Sequence, residues 1–193
     1  MNGSKHHKAN KQEFLHPTEQ DGARAGKRMI HQVYLCLGSN IQPEENLRQA
    51  VEMLAKAGQL QALSRCYETQ AVGSDGATIS DQPNYLNMAV SLATPLDAAA
   101  LKIQVIASIE RALGRIRSAD KFAPRPIDLD IIVFDGVILD ENVWQRVYIA
   151  APFSELLPDL VNPQTGETLK QVSERLQLKE SAIPRPEIHP GAD

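Results

Sequence analysis

Histidine is missing from almost the whole chain. All five copies, His6, His7, His16, His31 and His189, lie near the ends, and the stretch from Gln32 to Ile188 has none. This argues against a Ser–His–Asp triad, a Cys–His dyad or a histidine-ligated zinc inside the domain, since each needs an imidazole as base or ligand. Cysteine is nearly as scarce. Cys36 and Cys66 are the only two, they lack zinc-motif spacing, and they read as reduced cytosolic thiols. No apolar run approaches the roughly 18 residues of a membrane-spanning helix. The formal charge of −4 is too small to suggest a general electrostatic nucleic-acid binder. Chemistry is left to carboxylates, arginines, hydroxyls or a hard metal ion.

What is present fits one globular domain. Of 193 residues, 42% are hydrophobic and 23% charged, close to globular averages. A domain of roughly 150 residues buries about 70% of its unfolded surface, so neither disulfide nor metal is needed to hold it. The charge is uneven. Residues 1–28 carry six Lys or Arg against three Asp or Glu and have almost no apolar periodicity. They read as a disordered extension or an upstream start, with a natural beginning near Met29. The other 165 residues hold 14 basic and 21 acidic side chains, a net of −7.

Periodicity predicts the elements. A β-rich run, His31 to Leu37, ends in Gly38-Ser39-Asn40. Pro43, Glu44 and Glu45 suit a helix first turn. Leu47, Ala50, Val51, Leu54 and Ala55 form its apolar stripe, with Gly58 as C-cap. A strand from Leu60 to Thr69, a long loop from Gln70 to Pro83 and a strand from Tyr85 to Ala93 follow. A helix then runs from Pro95 to about Leu113. The most apolar strand is Ile127 to Phe134, with a turn at Asp135-Gly136 and a short run Val137 to Leu139. Beyond lie a run from Tyr148 to Ala150, a short helix near Phe153 to Leu157 and another from Glu167 to Leu176. The order β-α-β-β-α-β is the ferredoxin-like pattern of an α+β fold, with a mainly antiparallel sheet and C-terminal additions. Both helices are expected on one face. The other is left for a ligand or the C-terminal segment. Residues 29–178 are read as a single domain and residues 179–193, with three prolines, as a flexible tail.

Asp128-Leu129-Asp130 is the sharpest feature. Side chains alternate on a strand, so both carboxylates project from one face about 7 Å apart. Ile127, Leu129, Ile131 and Val133 are expected on the buried face, and Ile132 and Phe134 on the acidic side. Unpaired anions beside apolar residues are costly without a cation. Hard oxygen ligands suit Mg²⁺ bridging to phosphates; the alternative is a solvated strand end paired with arginine. Arg111, Arg115, Arg117, Lys121 and Arg125 hold five of the 14 cations, with Asp120 as the only acid among them. Guanidinium forks fit phosphate oxygens, so acids flanked by arginines give the charge layout of phosphoryl transfer. Solvated i,i+4 pairs on a helix are the competing explanation. Gly38-Ser39-Asn40 approaches a helix N-terminus but is neither a Walker A loop nor G-x-S-x-G. Tyr85 and Asn87 share a strand face and could offer an aromatic surface and an amide for a planar heterocycle; taken alone, core packing and edge hydrogen bonding are the favoured explanation.

Three blocks in order carry a resemblance: Leu37-Gly38-Ser39-Asn40, Asp81-Gln82-Pro83-Asn84-Tyr85-Leu86-Asn87, and Lys121-Phe122-Ala123-Pro124-Arg125-Pro126-Ile127-Asp128-Leu129-Asp130. They resemble the 6-hydroxymethyl-7,8-dihydropterin pyrophosphokinase family of folate synthesis, over roughly Gln32 to Leu176. The resemblance implies an α+β enzyme that moves the pyrophosphoryl group of ATP to the pterin hydroxymethyl group, releasing AMP. It implies two Mg²⁺ ions held by Asp128 and Asp130, with Arg115 and Arg125 on the triphosphate and Glu110 and Arg117 on the nucleotide side. Thr69, Val72 and Asn87 match pterin contacts, Tyr85 and Tyr148 a ring-sandwiching pair, and Phe122 a loop position where tryptophan is frequent. A cytoplasmic monomer is expected, binding small molecules but neither nucleic acid nor membrane. The chain departs from the pattern at Gln70 and Ala71, in a longer loop through Ser80, and in a short connection from Asp140 to Arg146. That connection lacks a Pro-His motif, so ATP would be held by Trp144, by the tail, or more weakly. A non-catalytic pterin- or nucleotide-binding homologue and a metal-dependent nucleotidyltransferase are the rival functions.

Overall fold

The computed structural model describes residues 29–73, 77–116 and 123–191. At its centre β1 (His31–Ser39) is flanked by two antiparallel partners. On one side lie β5 (Asp128–Phe134) and β6 (Val137–Ile138). On the other is β4 (Tyr85–Thr94), which pairs with both β2 (Gln59–Leu63) and β3 (Cys66–Thr69). An outer strand, β7 (Ala182–Arg185), completes the order β6-β5-β1-β4-β3-β7. β1, the β2–β3 segment, β4 and β5 thus take the four ferredoxin-like positions, each antiparallel to its neighbour.

Strand alternation sorts side chains into two cores. Val33, Leu35 and Leu37 meet Leu47, Val51 and Leu54 of α1 (Pro43–Ala55), and Ile106 and Ile109 from the second helical segment, on one face. Cys36 and Ala89 point the other way, toward Val147 and Phe153 of α4 (Val147–Leu156) and Val172 of α5 (Leu169–Gln177). The C-terminal helices therefore cover the second face, one of the two occupants expected for it. Thr168 caps α5 reciprocally with Gln171, satisfying backbone donors that the first turn leaves open.

Local structure departs from the sequence reading in six places. The strand expected from Leu60 to Thr69 breaks in two, because the Ser64 hydroxyl accepts the Ala89 amide at 2.8 Å and displaces regular pairing. Helix α1 ends at Lys56 rather than at Gly58. Gly58 serves close approach instead, since a Cβ there would lie 2.5 Å from the Ala93 carbonyl oxygen. The second helix starts after the Asp97 cap and comprises α2 (Ala98–Ala100), a π-helical stretch (Leu101–Ile106) and α3 (Ala107–Ala112). On β5 the register skips Ile132 between Tyr34 and Leu35. This bulge reverses the expected faces beyond it: Val133 joins the C-terminal core and Phe134 the helix-side core. The run from Tyr148 and the helix near Phe153 are one helix, α4.

The sixth departure is the tail. It was expected to fray from Lys179, yet β7 pairs with the open edge of β3, and Ile188 is 8% exposed in the helix-side core. A free strand edge and a buried isoleucine outweigh the prolines. The ordered unit thus runs past residue 178, while the extension at residues 1–28 lies outside the described residues. Among the described residues no helix is long and apolar enough to cross a membrane.

Candidate active site

β5 starts where β1 is smallest. Asp128 stands opposite Gly38 and Asp130 opposite Cys36, on the face away from α1. Beside them β3 and β4 contribute Thr69, Tyr85 and Asn87, and α4 contributes Tyr148. Together with Val72 and Arg125 these residues line one cleft of about 180 Å³. Thr69 and Asn87 are both 4% exposed, and the Asn87 Nδ2 donates to Thr69 Oγ1 at 2.9 Å. That leaves the Asn87 carbonyl oxygen as an acceptor at the cleft wall.

The acidic end is a charge network. Arg115 donates to Glu110 and to Asp128 Oδ1, and Arg125 donates to Asp128 Oδ2. Glu110, 6% exposed, also accepts the Leu129 amide at 3.4 Å. Burial alone would lower the Arg125 pKa, but Asp128, with help from Tyr85 and Asp130, leaves it above the ordinary arginine value.

Among the described residues Asp130 has no arginine salt bridge of its own. The concave wall removes bulk water around it, and Asp128, Asp140 and Glu110 add negative charge, against a smaller opposing effect of Arg115. Its pKa is pushed up to about 6. By surface area the residue is exposed, which fits a carboxyl that opens into the cleft while protein surrounds its base. Burial, and then the neighbouring charges of Cys36, Asp140 and Asp130, push Tyr148 to about 12 against the opposing pull of Arg146. Burial also raises Tyr85, although Arg125 and Arg115 oppose it. Both phenols are neutral near pH 7.

The loops are tied from beneath. Asn40, 4% exposed, accepts the Arg125 amide at 2.8 Å on Oδ1 and donates through Nδ2 to the Pro83 carbonyl at 3.3 Å. The Ser39 hydroxyl donates to the Pro126 carbonyl at 2.5 Å. The Gly38-Ser39-Asn40 turn thus spends its side chains on joining loops. Across the described part of the Gln70–Pro83 loop, Gly73 donates to Ala77 at 2.9 Å and Ile79 to Ala71 at 2.8 Å, folding it as a hairpin beside the cleft.

Of the residues singled out in the sequence, Thr69, Val72, Tyr85, Asn87, Arg125, Asp128, Asp130 and Tyr148 converge on the cleft, with Arg115 and Glu110 behind Asp128. Arg117, Lys121 and Phe122 lie outside the described residues. Trp144, one suggested substitute for the missing ATP contact, is 6% exposed and part of the C-terminal core rather than the cleft lining. Asn40 and Asp140 were missed. A buried asparagine at a strand end signals a junction, because its amide must find partners. Nothing local points to Asp140, which reaches the site only through the β5–β6 turn.

An antiparallel α+β sheet with paired acids, a partly buried arginine network and a ring-sized polar cleft defines a group-transfer enzyme of the phosphoanhydride-using class. Residues 34–158 match the family described as 7,8-dihydro-6-hydroxymethylpterin-pyrophosphokinase, and the chain belongs to that family. It is 36% identical over 154 residues to the 2-amino-4-hydroxy-6-hydroxymethyldihydropteridine pyrophosphokinase of Methylorubrum extorquens, covering 74% of this chain and 92% of that one. It is 34% identical over 145 residues to the mitochondrial folate synthesis bifunctional protein of Arabidopsis thaliana, covering 70% of this chain but 25% of the longer protein. Its fold resembles that of wild-type Plasmodium falciparum HPPK-DHPS, crystallised with pterin and p-hydroxybenzoate. The TM-score is 0.59 at 12% identity, over 80% of this chain and 44% of that one.

Proposed function

We propose that this cleft transfers the pyrophosphoryl group of ATP to the hydroxymethyl group of 6-hydroxymethyl-7,8-dihydropterin, giving AMP and the pterin diphosphate for folate synthesis. The observation that carries the reading is the convergence of Asp128 and Asp130 with the Thr69–Asn87 pair in one cleft. Asn87 and Thr69 supply hydrogen-bonding groups for the edge of the heterocycle. Val72, Tyr85, Tyr148 and Phe122 supply surfaces for its faces. Arg115 and Arg125 receive the triphosphate, with Arg117 and Glu110 on the nucleotide side, where Glu110 also orients Arg115.

The donor set fits Mg²⁺. Two carboxylates on one strand face are hard oxygen ligands, and Asp130 lies near Asp128 and Asp140 without an arginine salt bridge among the described residues. When bound by Asp128 and Asp130, two Mg²⁺ ions would neutralise triphosphate charge beside the hydroxymethyl oxygen. The protein's own contribution is positioning and charge complementarity. Transfer of this kind depends on these more than on a strong base, so an interior without histidine is no obstacle. The chain acts as a cytoplasmic monomer in this proposal.

The test is a product analysis with ATP, Mg²⁺ and the dihydropterin. AMP together with pterin diphosphate is expected. Released pyrophosphate would instead indicate nucleotidyl transfer, and binding without turnover a non-catalytic homologue; either overturns the proposal. The short Asp140–Arg146 connection is the feature that favours the non-catalytic alternative.

A further inference from the structure

The C-terminal strand lies outside the residues that match the family model, yet it reaches the heterocycle end of the cleft through side chains. Thr69 on β3 faces Tyr85 of β4 on one side and Ala182 of β7 on the other. Its neighbour Glu68 projects to the opposite face and so stays out of the cleft. The Glu68 carboxylate is shared: Oε1 accepts the Asn84 side-chain amide at 2.8 Å, and Oε2 accepts the Arg185 guanidinium. Those two partners hold the Glu68 pKa below the usual carboxylate range, with Asn84 the larger influence.

Asn84 leads directly into Tyr85. The preceding Pro83 carbonyl is held by Asn40 at 3.3 Å. The segment that delivers Tyr85 and Asn87 is therefore fixed at two points, one from β1 and one from β3. The second depends on a carboxylate whose orientation Arg185 sets. We infer that Arg185 is a positioning residue for the heterocyclic substrate: it orients Glu68, Glu68 holds Asn84, and Asn84 sets how Tyr85 and Asn87 enter the cleft. This rests on the proposed role of those two residues in pterin binding. Asp128 on β5 lies two strands from β4 and Arg115 follows α3, whereas Arg125 alone of the triphosphate residues adjoins Tyr85, so the influence falls mainly on the heterocycle.

The experiment compares full-length wild type with Arg185→Met, Arg185→Lys and Glu68→Gln. Calorimetry gives the dihydropterin dissociation constant, steady-state kinetics give both KM values, and thermal melting reports folding. Because the Arg185–Glu68 pair is half-exposed, Arg185→Met and Glu68→Gln should each weaken dihydropterin binding by about three- to fivefold. The ATP KM should change by less than about twofold, Arg185→Lys should recover part of the loss, and a double variant combining Arg185→Met with Glu68→Gln should be no worse than the poorer single one. Unchanged dihydropterin affinity, or equal changes for both substrates, overturns the inference. A wild type that binds dihydropterin without forming AMP rejects the reaction alone, since the variants are still compared by binding. A wild type that binds no dihydropterin rejects both.

Discussion

Gly38 lies so close to the Asn87 carboxamide that a Cβ at residue 38 would come within 2.9 Å of Asn87 Oδ1. The two residues are register partners on β1 and β4, and the missing side chain is what lets the amide sit at the cleft floor. Gly38→Ala should therefore displace Asn87 and raise the dihydropterin KM by about tenfold or more, an effect on the order of the 1.4 kcal/mol of one good hydrogen bond. The ATP KM should move far less. Equal effects on both substrates would contradict the assignment of this corner to the heterocycle.

Asp130 makes metal-free stability depend on pH. Its folded-state pKa is raised from 3.8 to about 6. The native state thus binds the extra proton between those values, and stability falls as pH rises through them. Asp130→Asn removes that cost. In chelator the variant should melt higher than wild type at pH 7.5, by on the order of 1 kcal/mol once solvent screening is allowed for. The difference should vanish near pH 4. Melting curves at the two pH values decide it, and a variant less stable than wild type at pH 7.5 would refute the electrostatic assignment.

Added Mg²⁺ should stabilise wild type at pH 7.5 and do so less at pH 5, where a proton on Asp130 competes for the carboxylate. Asp128→Asn and Asp130→Asn should each lose this metal-dependent rise and nearly all turnover. Near-normal activity in either variant would exclude the acid pair as the metal ligands.

Arg115 serves two acids at once. Replacing it by methionine leaves the nearly buried Glu110 without this partner and removes one of the two arginines on Asp128. A loss of about 3 kcal/mol in stability is expected from breaking such a pair, with kcat falling more steeply than the dihydropterin KM rises. Arg115→Lys should rescue little, because a single ammonium lacks the planar fork. Denaturant unfolding and steady-state kinetics supply the two readouts.

Much of this site could be read from the chain because strand alternation is a local rule. Asp128 and Asp130 share a face whatever lies beyond, and Tyr85 and Asn87 follow the same logic. The features that escaped depend on distant partners. Nothing in Ile132 itself marks it as the inserted residue; the bulge exists only in its register with β1. Ser64 breaks a strand because Ala89 offers its amide, and Asn40 joins two loops separated from it by more than forty residues of sequence. The pairing of β7 was hidden for the same reason, since prolines are visible locally and the vacant edge of β3 is not. The role of Arg117 and Phe122 rests on the family resemblance alone.

The sheet also ends in a way that bears on self-association. One border, β6, offers only two residues for pairing. The other, β7, is four residues long and contains the exposed Pro184, followed by the exposed Pro186. Proline has no amide hydrogen to give to an incoming strand. An approaching copy of the chain would find a poor template at these two margins, which leaves β2, paired only with β4, as the remaining free edge. The same prolines that suggest a loose tail from composition thus act as a protective hem once the strand is in place.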